Sequence, residues 1–179
     1  MGAGGTQRMS TTATQMASLR AAIEAVEDPE MRGVTIGQLG MVLDVRATPE
    51  GVEIDLAPTF LGCAAIGIIT LDMQTVAQNS TATGTRCLVR TVHSVWSSDR
   101  ISPVGVQRLR DLGIAVVRSS ERLESTPCPF CAHPDLERRA GAGPTRCRSV
   151  AWCKNCRNVV EVMGAATAPD GAKGTYANV

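Results

Sequence analysis

The sequence predicts an α+β protein in two parts: a small α/β sandwich-type domain, then a four-cysteine, zinc-ribbon-like β module. Three patterns and a length carry this expectation. Apolar residues at Met16, Leu19, Ile23 and Val26, and again at Ile66, Ile69, Met73 and Val76, keep helical spacing. Between them, Met41–Arg46 and Val52–Ala57 alternate as half-buried strands do. Five of the seven cysteines crowd into Cys128–Cys156, and a chain of 179 residues holds one domain plus a smaller appendage.

Taken in order, residues 1–15 are Gly, Thr, Ser and Ala without periodicity, and a disordered arm is expected there. The helix that follows from Met16 is stopped at Asp28-Pro29, because proline disfavours helical geometry in the residue before it. Thr48-Pro49-Glu50-Gly51 supplies the turn of a β-hairpin, and Val52, Ile54 and Leu56 alternate cleanly with Glu53, Asp55 and Ala57. Pro58 ends the second strand, and a short loop, Thr59–Gly62, leads to Cys63. A crossover helix then reaches a third strand at Cys87–Val92, which must pair parallel within the sheet. Pro103 suits the first turn of a last helix that ends near Leu112-Gly113. Helix, hairpin, helix, strand and helix make a domain over 16–117; polar 118–127 is expected as a linker, 128–163 as the ribbon and 164–179 as a disordered tail.

Composition excludes several classes. The net charge is +1, so no whole-molecule field draws in nucleic acid or membrane. No apolar run approaches the ~18 residues of a membrane span, and the amino-terminal segment lacks a signal-peptide core, so a cytoplasmic protein without a membrane partner is expected. Five aromatics leave the core aliphatic and argue against a base-stacking platform. Neither a Ser-His-Asp set nor a phosphate-cradling glycine loop is present.

Cys128-Pro129-Phe130-Cys131 and Cys153-Lys154-Asn155-Cys156 form two C-x-x-C knuckles. Two-residue spacing lets both thiolates of a tight turn face one ion, and two such turns close a tetrahedron. The module is too short to bury a sufficient core, so metal binding supplies its folding free energy. Zinc is the expected metal, with iron or an iron–sulfur cluster as the alternative, since four thiolates suit each. Cys147 is an alternative ligand or a packed residue, and His133 is a further substitute donor. Residues 118–163 carry eight Arg/Lys against five Asp/Glu, and four thiolates with one divalent ion reduce that surplus to about +1. That is too little for a phosphate-binding surface, so protein binding is the expected use and Arg138, Arg139, Arg146 and Arg148 the solvated face of a hairpin.

Cys63 falls after a strand and before a helix, where backbone N–H groups favour a thiolate. Position alone leaves two readings open, a reactive thiol and a small buried hydrophobe. His93 is open between a ligand and a packed or surface residue, Asp28 and Glu30 between a functional pair and a solvated helix end, and Cys87 is expected in the core.

Asp28-Pro29-Glu30, Leu39-Gly40-Met41-Val42, Thr59 with Cys63, Val95-Trp96 and Ser102-Pro103 together resemble the metal–sulfur cluster assembly family of iron–sulfur protein maturation. With the knuckles and Cys147 following, the chain is similar over 16–163 to the PaaD-type components of bacterial phenylacetyl-CoA epoxidase systems. Ala64 departs from the family, which usually has proline after the first-domain cysteine. The resemblance implies an accessory, non-catalytic subunit that assembles or maintains an iron or iron–sulfur centre in partner subunits, a di-iron oxygenase and an iron–sulfur/flavin reductase. It implies Cys63 as the iron-handling thiol, with acidic Asp28 and Glu30 nearby, and the ribbon cysteines as holders of a metal; His93 stands where the family has an acidic residue, and it joins Cys63 only if strand and loop are adjacent. Two rival readings stand beside it: a ribbon that binds protein without cluster transfer, and a thiol enzyme whose nucleophile is Cys63.

Overall fold

The computed structural model describes residues 5–81, 85–93 and 96–164, with side chains from residue 13 onward. Its described residues divide into two compact units. One gathers the chain up to Pro58 together with Ala64–Trp96; the other gathers Thr59–Cys63 and the chain from Ser97 on.

The first unit is built on the hairpin. Helix α1 (Gly5–Glu24) precedes strands β1 (Val42–Thr48) and β2 (Gly51–Leu56), helix α2 (Ala65–Ser80) and strand β3 (Arg86–Thr91). The sheet order is β1-β2-β3, with β1 antiparallel and β3 parallel to β2, as a hairpin followed by a helical crossover requires. Alternation along β2 buries Val52, Ile54 and Leu56, which share the core with Ile23 of α1 and Ile69 and Met73 of α2. At the hairpin turn Gly51 has φ +144°, and a Cβ there would collide with the Arg86 carbonyl of β3, so both conformation and close approach demand glycine. Trp96 ties the end of this unit back by donating its indole N–H to the Leu39 carbonyl at 2.8 Å.

Two expectations for this region need correction. α1 starts at Gly5, within the segment expected as a disordered arm; residues 1–4 lie outside the described residues. It ends at Glu24, before Asp28-Pro29, because the chain turns back early: Ile36 N–H donates to the Val26 carbonyl and Gly37 N–H to that of Glu24.

The second unit holds α3 (Pro103–Asp111) and strands β4 (Ile114–Val117), β5 (Leu136–Ala140), β6 (Ser149–Cys153) and β7 (Val159–Gly164). Ser102 caps α3 by accepting from the Gly105 N–H at 3.0 Å, with Pro103 in the first turn as expected. The sheet order is β4-β7-β6-β5, and β4 alone runs parallel to its neighbour. One cluster buries Ala115, Val117, Val160 and Val162 with Leu136 and with Cys128 and Cys153 of the knuckles.

Here the expected partition differs from the structure. Sequence spacing puts the helix near 103–112 at the close of the first domain, yet α3 leads into β4, which pairs with the last ribbon strand. The segment 118–127, expected as a linker, carries buried Leu123 and Thr126 and belongs to the same unit. Arg118 holds it there, its guanidinium donating to the carbonyls of Ser98, Asp99 and Ile101 at 2.9–3.1 Å. Gly164, expected as the first residue of a tail, ends β7, and the rest of that tail lies outside the described residues.

Candidate metal centre

The two knuckles are built alike. In the first, Cys128 N–H donates to the His133 carbonyl at 3.0 Å and Ala132 N–H to the Cys128 carbonyl at 2.9 Å. In the second, Cys153 N–H donates to the Asn158 carbonyl and Arg157 N–H to the Cys153 carbonyl, at the same two distances. The residue after each second cysteine adopts a left-handed backbone, Ala132 at φ 61° and Arg157 at φ 59°. This turn aims both thiols of a knuckle to one side.

The four sulfurs meet between the knuckles. All lie within 4.8 Å of one another, and among the described residues they are the group of three or more His, Cys, Asp or Glu side chains close enough to hold a metal ion. The separations across the knuckles, Cys128–Cys156 and Cys131–Cys153, are each 3.7 Å. Metal–sulfur bonds of about 2.3 Å in a tetrahedron give edges of about 3.8 Å. The donor set therefore fits a single ion, and no cysteine of the chain is in a disulfide. Four protein ligands leave no open position, the form of a structural site.

The surroundings act on these sulfurs in opposite directions. Burial pushes the Cys128 thiol up to about 12, against the opposing pull of the Phe130 and Cys131 backbone N–H groups. The half-buried Cys131 is instead drawn down to about 6, foremost by the Asn155 side-chain amide and then by the His133 backbone N–H. Asn155 Nδ2 donates to Cys131 Sγ at 3.6 Å and Asn158 Nδ2 to Cys156 Sγ at 3.5 Å. Sequence reasoning passes over both asparagines. Their signal is position, one inside and one two residues beyond the second knuckle, where a side-chain amide reaches a sulfur.

The other expected residues fall elsewhere. Cys147 is not in the group: it is buried, its sulfur 3.2 Å from Thr145 Oγ1. His133 is exposed and contributes its backbone, not its ring. Cys63 is half-buried in the Thr59–Cys63 loop of the second unit, two residues before α2, with its N–H on the Phe60 carbonyl at 3.2 Å. Asp28, Glu30 and His93 lie in the first unit. Asp28 is buried and shapes a turn by accepting the Glu30 N–H on Oδ1 at 2.8 Å, while Glu30 and His93 are exposed. Cys87, half-buried on β3 opposite Val52, has its thiol pushed up by burial. Two arginines expected on a solvated hairpin face are engaged: Arg148 is buried with Nη1 2.9 Å from Glu161 Oε2, and the Arg146 guanidinium lies over the Phe60 ring.

Comparison with known proteins agrees with this anatomy. Residues 17–86 match the family of iron–sulfur cluster assembly proteins, and residues 115–164 match the PaaD zinc β-ribbon domain. That second match begins at Ala115 in β4, consistent with a ribbon sheet that includes this strand. A protein of Escherichia coli strain K12, named as the D-type component of a 1,2-phenylacetyl-CoA epoxidase, is 31% identical over 160 residues, covering 84% of this chain and 94% of that relative. Among solved structures, a DUF59 domain of unknown function from Bacillus anthracis is 33% identical, covering 52% of this chain and 89% of its own, with a TM-score of 0.47. With both domains in order and a relative matched along nearly its whole length, the chain belongs to the PaaD-type family of phenylacetyl-CoA epoxidase components.

Proposed function

We propose that this chain is an accessory subunit of a phenylacetyl-CoA epoxidase system that assembles or maintains an iron or iron–sulfur centre in the partner oxygenase or reductase subunits. The reading rests on one observation above others: a domain of the cluster-assembly family and a closed four-thiol centre occur on the same chain. A closed centre suits a structural ion, which leaves iron handling to a thiol outside it. Zinc is the ion proposed for Cys128, Cys131, Cys153 and Cys156. The 3.7 Å edges support one ion, since a cluster would divide the four sulfurs among two or more irons and spread them apart. Cys63 is the proposed cargo thiol; its sulfur lends an electron pair to incoming iron and yields it to the partner's ligands, with no change of oxidation state required. Asp28, Glu30 and His93 are proposed as companions, each to be tested by single substitution.

The test is Cys63→Ser in cells making the partner subunits, with iron measured in the purified oxygenase and reductase. The expected result is loss of most partner iron while this chain keeps its fold and its ribbon metal. Full partner iron and activity with Cys63→Ser contradicts the proposal.

A second reading, a protein-binding ribbon without cluster transfer, is favoured by Phe130 and Val159, which are 55% and 60% exposed beside the knuckles. It expects partner binding to survive Cys63→Ser and to fail in Cys128→Ser. Binding to DNA with a steep salt dependence would instead revive a nucleic-acid role.

A further inference from the structure

We infer that Arg146 is a positioning residue for Cys63, latching the Thr59–Cys63 loop to the β5–β6 connection of the ribbon through the ring of Phe60. This rests on the proposed role of Cys63, but its test does not. The Arg146 guanidinium lies 5.9 Å from the Phe60 ring centroid, within cation–π reach. Among the described residues Arg146 makes no ion pair, so the ring is the partner it has.

Both ends of the latch are held. On the ribbon side, Gly143 N–H donates to the Arg148 carbonyl at 2.7 Å, Arg148 Nε to Thr145 Oγ1 at 2.8 Å, and Arg148 pairs with Glu161 of β7. Cys147, Arg148 and Ser149 are buried in succession, which leaves Arg146 as the exposed residue at the edge of an anchored loop. This gives Cys147 a place as an anchor rather than a ligand. On the other side, the Phe60 ring folds over Gly62, where a Cβ would come within 2.8 Å of ring carbon Cε1. The Phe60 carbonyl accepts the Cys63 N–H, so ring, glycine and cysteine form one turn. Thr59–Cys63 groups with the ribbon's unit, apart from the strand and helix on either side of it, in keeping with this anchorage.

The experiment measures the rate at which iodoacetamide alkylates Cys63 in the full chain, resolved by peptide mapping with Cys87 as internal reference. Arg146→Gln and Phe60→Leu are expected to raise the rate about two- to fivefold, the worth of an exposed cation–π contact. Phe60→Tyr keeps the ring face and is expected to keep the wild-type rate, and the double variant to react no faster than either single one. Wild-type rates in both Arg146→Gln and Phe60→Leu would overturn the inference, as would multiplying effects in the double variant. Loss of the ribbon metal in Arg146→Gln would also overturn it, since Arg146 would then hold the ribbon and not the loop. Iron delivery is read separately with Cys63→Ser, so failure of the latch and failure of the Cys63 role are told apart.

Discussion

A thiol buried as deeply as Cys128 prefers its neutral form. What makes the four thiols useful together is the combination of a divalent cation with N–H donors that share the negative charge. Asn155 and Asn158 supply two of those donors from side chains. Their loss removes a hydrogen bond to a ligand without removing the ligand. Asn155→Ala is therefore expected to weaken metal retention by about 10- to 100-fold, read by competition with a chromophoric chelator. An unchanged affinity would show the amide to be incidental. Cys147 makes the complementary point: it shares a sequence stretch with the ligands but turns its sulfur to a threonine hydroxyl.

At the scale of elements, β2 shows how fully an alternating pattern specifies a strand. Its inward residues build the core, while Glu53 and Asp55 face outward with Arg46 of β1 and Arg90 of β3. Arg46 lies 2.6 Å from both Asp55 and Glu53 and 3.1 Å from Asp44, and these carboxylates hold its guanidinium firmly protonated. Arg46 first, and Arg90 after it, hold the Asp55 carboxyl below its ordinary value of 3.8. A carboxyl lowered in the folded state adds stability that is complete above its unfolded value and is lost as pH falls through its folded value. Unfolding midpoints measured from pH 7 downward are expected to drop below about pH 4, and less steeply in Arg46→Ala. Parallel profiles for the two proteins would show that the outer-face network does not set acid stability. The strand β4 is the opposite case. Ile114-Ala-Val-Val117 has four apolar residues in a row after the helix-ending Gly113, with no alternation, because it is nearly all buried. Periodicity cannot register such a segment.

For the molecule as a whole, the hairpin, the crossover helix, the parallel third strand and the two knuckles were legible because each rests on local spacing. The partition was not. Polar 118–127 has a linker's composition, yet Leu123 and Thr126 turn inward and Arg118 clamps the segment, contacts made with residues distant in sequence. The placement of Cys63 with the ribbon's unit was equally hidden, because contacts such as that of Arg146 with Phe60 join residues 86 positions apart in the chain. Grouping Cys63 with Asp28 and Glu30 came from family likeness, and adding His93 from the possible adjacency of strand and loop; their surroundings diverge, with Asp28 buried in a turn and His93 exposed.

If four cysteines hold one structural ion and a different thiol carries any iron, metal content must separate the two roles. The decisive measurement is the zinc, iron and acid-labile sulfide content of anaerobically purified protein, compared among wild type, Cys63→Ser and Cys156→Ser. One zinc per chain is expected in wild type and Cys63→Ser, with its loss in Cys156→Ser and any bound iron lost with Cys63. Iron and sulfide that persist in Cys63→Ser and disappear in Cys156→Ser would instead place a cluster on the ribbon and refute the division of labour between the two sites.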